Sequence, residues 1–143
     1  VDWRMLGQFS QRLMDGQLCP EAGAVLKQPS NGKLTQSSLL IMGLGPRAHF
    51  ERNVFSAAIH QLLSTMGDLG LKDIIVSLPG RMEELIDART AMNWFLADLD
   101  SYGASDGCVF QIAEDWDAQK EMAPEMERWR LRHLIPELTP SVD

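Results

Sequence analysis

The chain has 143 residues, 45% of them hydrophobic, with a net charge of −7. That length and composition fit one globular domain, residues 1–143, with a sizeable core. The acidic balance argues against broad nucleic-acid binding, which needs clustered Lys and Arg, and no apolar run approaches the ~18 residues of a membrane span.

Taken in chain order, Asp2 caps a first helix whose apolar face reads Trp3, Leu6, Phe9 and Leu13, with Gly16 as its stop. The chain starts at Val1 rather than Met, so the natural N-terminus is expected to lie further upstream. Residues 24–27 form a short strand, closed by Pro29 and an Asn31-Gly32 turn. Residues 39–44 are a continuous apolar run, the pattern of a buried strand. A helix is predicted over residues 52–69, with Phe55, Ala58, Ile59, Leu62, Leu63 and Met66 on its apolar face and Gly70 as its stop.

Residues 73–78 read as a strand ended by Pro79-Gly80. A third helix is expected over residues 82–100, burying Leu85, Ala88, Met92, Phe95, Leu96 and Leu99, with a break near Asp87. Residues 108–113 are the last strand, and Asp115 and Asp117 open a final helical region. There Pro124 is expected to start a fresh helix, with Glu125 and Glu127 in its first turn and Arg130, Arg132 and His133 near its end, which suits the helix dipole. Strand–helix alternation of this kind predicts an α/β layered fold with helices on both faces of a sheet.

The motif Gly43-x-Gly45-x-x-Ala48 follows a strand and precedes a helix, as a dinucleotide-binding loop does. The acidic residue wanted at the end of the next strand is missing, because that strand ends Ser77-Leu78-Pro79-Gly80, and Pro46 removes a donor inside the loop. Arg47 and His49 stand beside the glycines as possible anion partners. The acidic run Glu114, Asp115, Asp117 and Glu121 lacks a His at ligand spacing and reads as a solvated helix start, so no metal site is expected. His60 falls on a polar helix face and is expected to be exposed. His133 reads as a dipole-compensating residue. Cys19 and Cys108 sit in no Cys-x-x-Cys pair and read as buried reduced thiols in a reducing, cytoplasmic setting. Trp116 and Trp129 lie among charges, and an exposed Trp beside Arg has the character of an interface anchor.

The segment Leu39-Leu40-Ile41-Met42-Gly43-Leu44-Gly45, then Leu62-Leu63-Ser64-Thr65-Met66-Gly67-Asp68-Leu69-Gly70, then Lys72-Asp73-Ile74-Ile75-Val76-Ser77-Leu78-Pro79, resembles the N-terminal domain of cytosolic leucyl aminopeptidases. The resemblance is carried mainly by residues 1–80. It implies a macro-domain-like, three-layer α/β/α sandwich with a mixed central sheet. The metal ions and catalytic residues of that family belong to a C-terminal domain, whose signature Asn-Thr-Asp-Ala-Glu-Gly-Arg is absent here. No catalytic residue, metal or cofactor is therefore carried over. The family's N-terminal domain supports hexamer assembly, so the resemblance implies a non-catalytic interaction, assembly or regulatory module, with a homo-oligomer or protein partner. The alternative is a small-molecule module holding a nucleotide or ADP-ribose-like phosphate at residues 43–47. The nearest approach to a later macro-domain phosphate loop is residues 101–107, which precede a strand instead of following one.

Overall fold

The computed structural model of the chain describes residues 25–29, 38–103 and 108–134. The expected first helix, Cys19 and the Asn31-Gly32 turn lie outside the described residues. The chain divides into two compact units, Val1–Val54 and Phe55–Asp143. It is a mixed α/β protein. None of its described helices is long and apolar enough to cross a membrane.

The first unit contains an antiparallel pair, β1 (Val25–Pro29) and β2 (Ser38–Met42), in register from Val25 opposite Met42 to Pro29 opposite Ser38. Pro29 is the last residue of β1 rather than a residue beyond it, a position where a missing N–H costs little. A single 3-10 turn, Arg47–His49, follows β2.

The second unit holds nearly all of α1 (Arg52–Leu69), then β3 (Asp73–Val76), α2 (Ala88–Tyr102), β4 (Val109–Ile112) and α3 (Trp116–Leu134). Helix α1 has the bounds expected from its periodicity, and Phe55, Ile59, Leu62, Leu63 and Met66 are buried along one stripe. Its end is a Schellman turn. Leu71 donates to the Met66 carbonyl at 2.9 Å, and Gly70 sits at φ 67°, where a side chain would be strained.

Strands β3 and β4 pair in parallel, Asp73 opposite Val109 through Val76 opposite Ile112, with α2 as the crossover. The described strands thus pair as two separate two-stranded sheets. Within the parallel pair, burial alternates with the pleat. Ile74, Val76, Phe110 and Ile112 are half-buried, while Asp73, Ile75, Val109 and Gln111 are exposed. Phe110 meets Phe95 of α2 edge to face, with ring centroids 5.5 Å apart.

Helix α2 starts at Ala88, at the break expected near Asp87, while residues 82–86, expected as helix before that break, form turns and bends. The Asp87 carboxylate accepts from the Thr90 N–H at 3.1 Å, and a capping side chain competes with continuation of the helix. Upstream, Arg81 holds the turns before α2 in place. Its guanidinium donates to both oxygens of Glu114, at 2.7 and 3.3 Å, and to the Ile86 carbonyl at 2.8 Å. The hydrogen bond to Glu114 raises the Arg81 pKa above its ordinary value. Leu85 consequently lies at the surface rather than in the core. One buried position defies the apolar pattern: Asp98 is 3% exposed and accepts from the Ser56 hydroxyl of α1 at 3.0 Å.

Helix α3 is continuous through Pro124, which corrects the expectation of a new helix there. The proline removes the N–H that would bond the Lys120 carbonyl, but both residues are exposed, so water can take that bond. Burial of Ala118 and Met122 on the inward side keeps the helix together. Asp115 caps it through the Ala118 N–H at 2.8 Å. Arg89 of α2 reaches Glu125 at 3.6 Å, and Arg128 closes on the same carboxylate.

The bonds from Thr90 hold the Asp87 carboxyl below its ordinary pKa of 3.8. A lowered carboxylate pKa contributes stability that is complete above the ordinary value and is lost as pH falls through the folded one. Asp87→Ala should therefore cost about 1 kcal/mol in urea denaturation at neutral pH. The difference from the parent should shrink once the pH drops below 3.8. A deficit that is the same at every pH would mean that the charged cap is not its source.

Candidate functional site

The glycine loop follows β2 as the sequence implies, with Gly43 and Gly45 half-buried and Gly45 at φ 81°. Pro46 then opens the 3-10 turn, in which the His49 N–H donates to the Pro46 carbonyl at 3.0 Å and the Phe50 N–H to the Arg47 carbonyl at 3.1 Å. Arg47 and His49 are both exposed on this one turn. The turn separates the glycines from α1, which begins only at Arg52. A helix macrodipole acts over its first turn, so the positive end of α1 does not fall on Gly43 and Gly45.

The two candidate interface tryptophans behave differently. Trp116, the first residue of α3, is 70% exposed, with the Lys120 ammonium 5.2 Å from its ring centroid. Trp129 is half-buried and hydrogen-bonded. His60 corrects its expected exposure. Its Nε2 is shielded from solvent without a hydrogen-bond partner, and its ring lies 5.7 Å from that of Tyr102. The acidic run does not act as one set, because Glu114 turns to Arg81 while Asp115 caps α3. Among the described residues, no group of three His, Cys, Asp or Glu side chains could hold a metal ion.

Among the described residues, a groove of about 780 Å3 opens between α2, β4 and α3. Its walls are chiefly apolar: Phe95, Leu96 and Leu99 from α2, Phe110 and Ile112 from β4, and Met126 from α3. Sequence periodicity placed Phe95, Leu96 and Leu99 in a closed core. They are well buried, yet they also wall this groove.

A polar cluster spans the rim where the end of α2 meets the last turns of α3. The Trp129 Nε1–H donates to both oxygens of Asp100, at 3.1 and 3.2 Å. His133 Nε2 lies 2.7 Å from Asp100 Oδ1, and His133 Nδ1 lies 2.8 Å from the Trp129 carbonyl oxygen. The two rings stack, 4.0 Å between centroids and 30° between planes. Trp129 and His133 are one helical turn apart, so a single face of α3 presents both.

Cys108 lines the same groove, which brings a thiol, an imidazole and a carboxylate into one lining. Hydrogen-bond geometry opposes a nucleophile–base relay. Both nitrogens of His133 already face acceptors, Asp100 on one side and a main-chain carbonyl on the other. A neutral ring can donate to one of them, and the imidazolium donates to both. Neither nitrogen is presented to the thiol as a base, which nucleophile activation requires. The cluster acts as a clasp between α2 and α3. The sequence hid it because its acidic member is separated from its partners by the whole of β4.

His133 and Asp100 are about half exposed, so the clasp is a modest contribution to stability. Asp100→Ala removes the ties to both Trp129 and His133 at once and should cost about 1 kcal/mol in chemical denaturation. In a double-mutant cycle, Asp100→Ala and His133→Ala should be less than additive. Strict additivity would show that the two side chains do not act as one unit.

Searched against protein-family models and against curated proteins, the chain matches none.

Proposed function

We propose that this chain is a non-catalytic α/β module that works by association, with itself or with a protein partner, and that Trp116 anchors the contact. The observation that carries this reading is the 70% exposure of Trp116. A Trp side chain can bury some 150–250 Å2. At about 25 cal/mol per Å2, covering most of it is worth a few kcal/mol, which is the scale of an interface hot spot. Met82, 84% exposed, and Ile75 and Val109 on the outer face of the parallel sheet add further uncovered apolar surface. The resemblance to the N-terminal domain of leucyl aminopeptidases supports the same reading, since that domain takes part in hexamer assembly. The three-layer sandwich with one mixed sheet belongs to this proposal, supported by the β3–α2–β4 crossover.

Sedimentation velocity over a micromolar to near-millimolar concentration series should show reversible association, and Trp116→Ser should abolish it without altering circular dichroism. A parent chain that stays monomeric throughout that range would remove the self-association form of this reading.

A second reading keeps a phosphate-bearing ligand at Gly43, Gly45, Arg47 and His49. What favours it is the left-handed Gly45 next to a turn that exposes both basic residues. ADP-ribose should then raise the melting temperature, and Arg47→Ala or Gly45→Val should abolish the shift. No shift across a nucleotide panel rules this reading out.

A further inference from the structure

The groove between α2, β4 and α3 is not accounted for by an assembly role anchored at Trp116, which is not among its lining residues. Close packing is the norm for protein interiors, and apolar walls left apart forgo contact on one side. At about 780 Å3 the groove falls inside the range of roughly 300–1,000 Å3 typical of small-molecule sites. A concavity of that size and apolar character suits a small molecule.

Charge narrows the class further. The charges sit at the exposed rim and not among the apolar walls: Asp100 accepts from Trp129 and lies against His133, and Arg130 lies 3.7 Å from Glu127 on the same helix. A charged group entering the apolar walls below that rim would do so without a counter-ion, and unpaired charge in such surroundings is costly. An uncharged ligand meets no such penalty. The walls offer aromatic faces from Phe95 and Phe110 and adaptable thioethers from Met92 and Met126, which suit flat or branched apolar groups.

We propose that this groove is a binding site for an uncharged, largely apolar small molecule. It is held by the walls of α2 and β4 and by Met126, with the Asp100–Trp129–His133 clasp forming a rigid lip at one end. The site stands independently of the assembly reading, because the two use different residues.

The test uses the full chain and N-phenyl-1-naphthylamine, an uncharged fluorophore that brightens in apolar surroundings. Its fluorescence should rise and saturate at one equivalent per chain. The anionic analogue 1-anilinonaphthalene-8-sulfonate should bind about tenfold or more weakly. Ala123→Phe fills the groove from the exposed side of α3, and Met126→Glu places a charge at its mouth. Each should remove the saturable signal, while Ala97→Phe, on the exposed side of α2, and Trp116→Ser should leave it intact. Circular dichroism checks that each variant is folded, and the two groove variants change different positions so that one misfolded protein does not end the test. Absence of saturable binding, equal affinity for the charged analogue, or a signal indifferent to both groove variants overturns the proposal. So does a signal that falls as protein concentration rises, because that would place a second copy of the chain in the groove.

Discussion

The second unit depends on how α2 is covered. This helix carries an apolar stripe of Ala88, Ala91, Met92, Phe95, Leu96 and Leu99, all buried, with the buried carboxylate of Asp98 among them. No single neighbour covers so wide a stripe. Helix α1 supplies Phe55, edge to face with Trp94 at 5.4 Å, and the Ser56 hydroxyl for Asp98. Strand β4 supplies Phe110 against Phe95. Helix α3 is tied on at two levels, through Arg89 and Glu125 near the start of α2 and through Asp100, Trp129 and His133 at its end. The ties follow the same order along both helices, so α2 and α3 run in the same sense, as helices flanking parallel strands do.

The groove is a consequence of that arrangement. Helix α3 contacts α2 through side chains at separate levels, and Ala123 and Met126 are the residues it contributes to the groove beside them. A small residue and a flexible one at these positions leave room that Leu or Phe would fill. The polar groups of the rim hydrogen-bond to one another and so order the lip, while shape and apolar contact dominate the walls below it. Arg81 and Glu114 likewise order the chain, since their paired hydrogen bonds fasten the turns before α2 to the end of β4.

Local patterns in the sequence carried far. The bounds and buried face of α1, the stop at Gly70, the two strands of the parallel pair and the cap region at Asp115 all follow from periodicity and terminus chemistry, which act over a few residues. Departures occur where a distant partner outweighs a local preference. Residues 82–86 have helical spacing, but the bonds of Arg81 to Glu114 and to Ile86 hold them in turns. Pro124 is a strong local stop signal, but burial of Met122 and Ala118 carries the helix through it. His60 reads as a surface residue on a helical projection, and His133 as a compensator of the helix dipole. Only packing against Tyr102 and the reach of Asp100 assign their surroundings.

The glycine loop marks the same boundary from the other side. The order of strand, glycine turn and helix was legible, and so was the start of α1 at Arg52, because each piece is local, but the 3-10 turn between the glycines and the helix was not. For the described residues, the sequence by itself determined the bounds and buried face of α1, the two strands of the parallel pair, most of the buried face of α2, and that Trp116 stands among charges. Only the tertiary structure decided that Trp129 is drawn into a clasp while Trp116 stays uncovered, and that α2, β4 and α3 leave a groove. The physical reason is range. Periodicity and capping act within a turn or two of chain, whereas Asp100 with His133 and Arg81 with Glu114 join residues 33 positions apart, and only the packed elements bring them within hydrogen-bond reach.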